Sequence, residues 1–310
     1  MENHFTFWVV FAVVVSVMFY VDLLATEHRK GKVGIKTSLL WSGIWIGAAL
    51  LFDLSVYLFM ENGHAKAIEF LAGYIIEKSL SVDNLFVFIM IFNFMGIHEA
   101  DQPHVLKWGI LSAVVMRILF ILAGVALVSL FHPVIYIFGI LLFYASYKLA
   151  FHGNEQINLE HNPVFRFASQ RFNLIAKYQG KKFFLRQNGK TYVTPLFLTL
   201  LLIESADLIF AVDSIPAVIA ITKDVFVIIT SNIFAILGLR ALYFALAGIV
   251  NLFAYLKYGV AFILFFVGVK MVLSDLYAIP TEASLLFIVF CLAVSVILSL
   301  VFPGKKDPEV

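Results

Sequence analysis

Gly73-Tyr74-Ile75-Ile76-Glu77-Lys78-Ser79-Leu80-Ser81-Val82-Asp83-Asn84-Leu85-Phe86-Val87-Phe88 decides the fold class of this chain. It lies within apolar-flanked sequence from about 67 to 92, long enough to cross a bilayer. Its middle nevertheless carries Glu77, Lys78, Asp83 and Asn84. An ionised group at a membrane helix centre costs roughly 2.5–3.5 kcal/mol on insertion scales, so such residues mark function or specific pairing. A second stretch repeats the anomaly: Glu204-Ser205-Ala206-Asp207-Leu208-Ile209-Phe210-Ala211-Val212-Asp213-Ser214-Ile215-Pro216. Superposing Val82-Asp83-Asn84-Leu85 on Val212-Asp213-Ser214-Ile215 places Glu77 on Asp207. Two such motifs in corresponding places point to a duplicated unit.

The composition puts both stretches in a membrane. The chain has 310 residues, 62% hydrophobic and only 14% charged, against about 25% charged in soluble domains. The net charge of +2 gives no footprint for nucleic acid. The lone cysteine, Cys291, excludes a disulfide framework and a Cys-type metal site. The first apolar run, Phe5 to Leu24, lacks a basic leader and is followed by Arg29, Lys30, Lys32 and Lys36, so it reads as a retained span.

Windows of about 20 apolar residues give nine transmembrane helices, at 5–24, 37–60, 67–92, 105–130, 134–151, 195–221, 225–250, 257–276 and 283–302. With the N-terminus outside, the inner segments hold fifteen Lys and Arg and the outer ones only Lys66 and Lys223. The positive-inside rule therefore predicts a multi-pass protein with its N-terminus outside and its C-terminus cytoplasmic. The large loop 152–194 is then cytoplasmic. Phe165, Ala168, Phe172 and Ile175 recur there at helical spacing, predicting an interfacial amphipathic helix. The run 183–193 reads as a β-hairpin around Asn188-Gly189.

The repeat extends beyond the acids. Residues from Arg117 to Gly124 resemble those from Arg240 to Gly248, and residues from Ile140 to Lys148 resemble those from Phe262 to Lys270. Spans three to five thus recur as spans six to eight. Three is odd, so the copies enter from opposite sides: a 3+3 inverted-topology repeat, whose site lies near the midplane in transporters. The expected organisation is two N-terminal helices (1–66), the first repeat (67–151), the cytoplasmic loop (152–194), the second repeat (195–276), then a last helix and tail (277–310).

On an unbroken helix, Glu77 and Asp83 point about 120° apart, as do Asp207 and Asp213. Pro216 predicts a kink or unwound segment at 212–216 that frees carbonyls beside a carboxylate, and pseudo-symmetry carries that break to the first copy. The candidate metal ligands are Glu77, Asp83, Asn84, Glu204, Asp207, Asp213 and Ser214, with Asp53 a further candidate and Asp22 a weaker one. All offer oxygen, which suits Mg²⁺, Ca²⁺ or Mn²⁺; every histidine sits in a loop or at a span end. Lys78, Arg117 and Arg240 are the charge partners within the spans. Two readings follow: an ion site with cationic neighbours, or buried Glu–Arg and Asp–Lys pairs that fix helix register. Asp53 either joins the site or pairs with Arg117. No zincin motif, phosphate loop or Ser–His pair appears, so no enzyme activity is expected.

The two acidic motifs, together with the run from Thr230 to Arg240, resemble the TerC family, bacterial membrane proteins named for tellurium resistance, and are similar to its alkaline-inducible branch. The resemblance covers nearly the whole chain. It implies a protein of the bacterial cytoplasmic membrane that handles metal ions, with manganese export the leading role. Glu77, Asp83, Asp207 and Asp213 stand where the family's intramembrane acids stand. The resemblance also implies an alternative: a non-transporting factor for membrane-protein assembly or metal delivery, linked to tellurite tolerance. The basic loop 152–194 would then be the surface for a secretory-machinery or membrane-protein partner; its other reading is an ordered linker packed on the membrane face. Under the first role the partners are Mn²⁺ or another divalent cation as cargo, protons exchanged at the carboxylates, and the lipid bilayer, with no resident cofactor.

Overall fold

The computed structural model describes residues 2–22, 34–131, 133–152, 181–187, 190–247, 255–273, 276–277 and 279–302. The described chain is almost entirely helical: α1 (Glu2–Tyr20), α2 (Ile35–Phe59), α3 (Gly63–Phe94), α4 (Gln102–Leu130), α5 (Val134–His152), α6 (Pro195–Ile219), α7 (Val225–Ile236), α8 (Leu239–Ala247), α9 (Leu256–Val272) and α10 (Thr281–Val301). One hairpin, β1 (Phe184–Gln187) with β2 (Lys190–Val193), interrupts them. Each of the nine sequence windows contains helix. Among the described residues, length and composition suit five helices to crossing a membrane, six if the bent pair α7–α8 is one span.

The helices are built inside out, as a lipid solvent demands. α2 buries Ser38, Ser42, Trp45, Ala49, Phe52 and Val56, one stripe at alternating spacings of four and three. Its other side exposes Leu39, Leu40, Leu50, Leu51, Leu54, Leu58 and Phe59. α10 likewise turns Ser284, Cys291, Ser295 and Ser299 inward and Leu286, Phe290, Ile297 and Leu300 outward. Lipid tails are as apolar as leucine, so packing in a bilayer rests on small and polar contacts rather than on hydrophobic burial. This is an all-α membrane protein.

α3 is the central post, packed against α2, α6, α7 and α10. Beside it α7 is enclosed, buried from Phe226 to Ile236. Phe11, Phe52, Phe70, Phe226 and Phe234 form an aromatic plug where α1, α2, α3 and α7 meet. α4 lies on α6 and α7, and α5 runs along α9. The α5–α9 approach is close because a Cβ on Gly139 would stand 3.3 Å from the Gly268 carbonyl oxygen, and one on Gly268 3.1 Å from that of Gly139.

Neither expected unwound segment occurs. α6 continues through Pro216, and α3 runs unbroken for 32 residues. Pro216 stands near the C-terminal end of α6, where losing one ladder bond matters least, and its carbonyl still accepts from Ala220 N at 3.0 Å. The break lies instead between α7 and α8, bent by 41°, where Gly238 adopts φ +84°. That conformation is open to glycine and costly for other residues. Trp45 closes over it, with Cδ1 only 2.6 Å from where a Cβ would stand.

The hairpin pairs Phe184 with Val193 and Gln187 with Lys190. Its turn, Asn188-Gly189, lies outside the described residues, as does the amphipathic helix expected around 165–177. The hairpin is seated by Phe183, stacked on His104 at 5.0 Å and edge-on to Trp108, and by Phe184 against Phe197 at 4.5 Å.

Candidate functional site

The two motif helices deliver one acid each to a common buried point. Glu77 comes from α3 and Asp207 from α6, and Arg117 reaches between them from α4. Arg117 is 1% exposed and Glu77 fully buried. Arg117 Nη1 donates to Glu77 Oε1 and, at 2.9 Å, to Ser214 Oγ. Its Nη2 meets Asp207 Oδ1 at 3.2 Å and its Nε meets Oδ2 at 3.5 Å. This is the fork-to-carboxylate geometry that arginine favours and lysine cannot make. The other Glu77 oxygen, Oε2, accepts from Asn232 Nδ2 at 2.9 Å, which ties α7 to the same point.

Burial explains why all three guanidinium nitrogens are engaged. A charge taken from water into a protein interior needs a partner and hydrogen bonds to its remaining lone pairs. Two carboxylates face one guanidinium here, so with all three ionised the described centre keeps one negative charge in excess. Removing Arg117 alone would strand both acids, a loss of about 3–5 kcal/mol by analogy with other buried pairs.

The remaining candidates are distributed around this centre. Glu204, one turn before Asp207 on α6, accepts from Ser112 Oγ of α4. Asn84 is buried on α3. Asp83 and Asp213 belong to the backbones of α3 and α6, but their side chains lie outside the described residues. Asp53 does not pair with Arg117; it is half-buried on α2, with Oδ1 lacking a hydrogen-bond partner. Arg240 pairs with Asp22 at 3.4 Å. Lys78 pairs with no carboxylate in the centre and donates to the carbonyls of Ala235 at 3.1 Å and Leu237 at 3.5 Å. Among the described residues, no three His, Cys, Asp or Glu side chains are arranged to hold a metal ion. The contacts of Arg117 thus match the ion-pair alternative raised from sequence for Glu77 and Asp207.

Two participants escaped sequence reasoning. Asn232 and Ser112 are neutral residues in apolar helices, and only their polarity within α7 and α4 marked them. Asp22 is inconspicuous in sequence because an acid at a span end is cheap and its partner, Arg240, lies far along the chain.

The description "Integral membrane protein TerC family" matches this chain over residues 62–307. Among similar proteins is "Putative membrane-bound redox modulator Alx" of Escherichia coli (strain K12), 43% identical over 285 residues, covering 90% of this chain and 89% of that one. Another is "Uncharacterized membrane protein STKORF319" of Myxococcus xanthus, 42% identical over 294 residues, covering 95% and 92%. The Alx protein of Salmonella typhi is 38% identical over 309 residues, covering 97% and 96%. No solved structure matches. With a family match across most of its length, and buried acids from both motifs meeting at one arginine, this chain belongs to the TerC family of integral membrane proteins.

Proposed function

We propose that the protein is a divalent-cation transporter of the bacterial cytoplasmic membrane, with Mn²⁺ as cargo exported in exchange for protons at intramembrane carboxylates. The carrying observation is the convergence of Glu77 and Asp207, one from each acidic motif, on one arginine in a buried centre, where two carboxylates outnumber one guanidinium. Oxygen donors alone suit Mn²⁺ over softer ions. Asp83 and Asp213, on the same two helices, complete the proposed set of oxygen ligands with Glu204, Asn84 and Ser214.

The packing supports an inverted repeat within a nine-span topology. α3 packs on α7 as α6 packs on α4, and α5 and α9 pair with each other, so exchanging the two triplets leaves these contacts in place. Side chains follow the same exchange. Ser146 Oγ donates to the Ala261 carbonyl at 2.8 Å, and a Cβ on Gly268 would stand 3.1 Å from the Gly139 oxygen. Exchanging Ser146 with Gly268 and Ala261 with Gly139, as the repeat alignment directs, turns one contact into the other. The Lys and Arg distribution favours an N-terminus outside and a C-terminus in the cytoplasm.

The Alx relatives are named as redox modulators. A dithiol–disulfide cycle within one chain is not open to this protein, because its only cysteine is the buried Cys291. The assembly or metal-delivery reading draws on the docked hairpin, which leaves Phe184 and Arg186 exposed as a surface for a partner. Mn²⁺ uptake by everted vesicles whose only added protein is this chain tests the proposal. Uptake above that of empty vesicles supports transport; uptake equal to theirs, with the protein present and folded, supports the assembly role.

A further inference from the structure

All four carboxylate oxygens of Glu77 and Asp207 are already taken. Arg117 holds Glu77 Oε1 and both oxygens of Asp207, and Asn232 holds Glu77 Oε2. A cation approaching this pair finds no oxygen free of an N–H donor. We propose that Arg117 is an internal counter-cation, occupying the carboxylate pair in the metal-free protein and competing with the divalent ion for the same oxygens. The inference rests on the transport reading above and adds how the site is kept closed to ions.

Three features carry it. A guanidinium cannot leave by losing its proton, so Arg117 yields the site only by moving, which couples metal entry to displacement of α4 or of the side chain. Its reach is shared among separate helices, Glu77 on α3 and Asp207 with Ser214 on α6, so its withdrawal loosens two elements at once. The Ser214 hydroxyl is a neutral acceptor at 2.9 Å, able to keep one N–H when the carboxylates turn to a metal. Without Arg117, three of the four oxygens would be open to a cation, with Asn232 still holding Glu77 Oε2. With Arg117 the site is filled, which limits futile passage of monovalent ions too weakly attracted to displace a bidentate guanidinium.

The test is Mn²⁺ affinity of the purified full-length protein, read from the electron paramagnetic resonance of free Mn²⁺, for wild type, Arg117→Lys, Arg117→Gln and Glu77→Gln. Competition predicts tighter binding in the order Gln, Lys, wild type. The gain for Arg117→Gln should be about ten-fold, the equilibrium worth of one charge-assisted hydrogen bond, with slower transport per molecule. A purely structural clamp predicts unchanged or weaker binding in both arginine variants, and that result overturns the proposal. Arg117→Lys keeps the charge but not the fork, so if Arg117→Gln fails to fold the lysine variant decides alone: tighter supports, equal or weaker overturns. If wild type binds no Mn²⁺, or Glu77→Gln binds as well as wild type, the transport reading itself falls and this inference with it. If wild type binds through Glu77 and neither arginine variant binds tighter, only the counter-cation role falls.

Discussion

Lys78 Nζ donates to the carbonyl oxygen of Ala235 at 3.1 Å, joining the helix of the first acidic motif to the last turn of α7. The next acceptor, Leu237 O at 3.5 Å, lies in the break itself. Carbonyls in the last turn of a helix have no intrahelical donor, and within a membrane no water replaces one. An ammonium at a helix C-terminus is also favoured by the helix dipole. Glu77 and Lys78, adjacent on α3, thus hold α7 at Asn232 and Ala235.

Lys78→Met should therefore destabilise the protein by about 1–3 kcal/mol, the cost of a buried group left unpaired. Thermal unfolding in detergent checks this against Lys223→Met, at an exposed position. Equal midpoints for the two variants would remove Lys78 from the joint.

Gly238→Ala and Gly96→Ala separate backbone strain from packing. Both residues have positive φ, +84° and +61°. A Cβ at Gly96 meets nothing within 4 Å, whereas one at Gly238 meets Trp45 Cδ1 at 2.6 Å and Cβ at 2.9 Å. Gly96→Ala should cost about 1–2 kcal/mol from backbone strain alone. Gly238→Ala should add about 1–3 kcal/mol of overpacking. Comparable unfolding midpoints would show that Trp45 does not seal the break.

Much of this architecture was legible in the sequence, because apolar run length and polar intruders are local properties. The helices lie within or across the nine windows, and the 183–193 segment pairs as the Asn-Gly spacing predicts. The break was misplaced for a physical reason. Pro216 looks like a breaker in one dimension, but near a helix end it removes little. Gly238 looks ordinary until Trp45 and Lys78, from α2 and α3, close around it. The partners of the charges were equally hidden. Arg117, Arg240 and Lys78 are alike in sequence, yet one bridges the motif acids, one pairs with Asp22 and one holds backbone carbonyls. Such choices are made by three-dimensional proximity across elements far apart in the chain.

Selectivity follows from donor chemistry. With oxygen ligands only, Mn²⁺ transport should resist equimolar Zn²⁺ better than a His- or Cys-containing site would. Competition assays in vesicles check this. Complete block by Zn²⁺ with no effect of Ca²⁺ or Mg²⁺ would contradict the ligand assignment.

Acidification should weaken metal binding. Protons and metal compete for the same carboxylate oxygens, and a protonated carboxyl is a poor ligand, so apparent affinity should fall steadily from about pH 8 to about pH 5. Binding isotherms across that range test it. A flat profile would exclude proton exchange at these acids.

The central claim is that the acids of the two motifs carry a divalent ion, and Mn²⁺ flux per molecule in proteoliposomes tests it most directly. Wild type, Glu77→Gln, Asp83→Asn and Asp213→Asn are compared at matched abundance, each single variant also combined with Arg117→Gln or Arg240→Gln. The account predicts flux above empty liposomes for wild type and flux at the empty level for the three folded single variants, with no rescue by the arginine changes. Wild-type flux per molecule in the single variants, or depleted single variants whose abundance the arginine changes restore, would contradict it and leave the acids as fixtures of helix register.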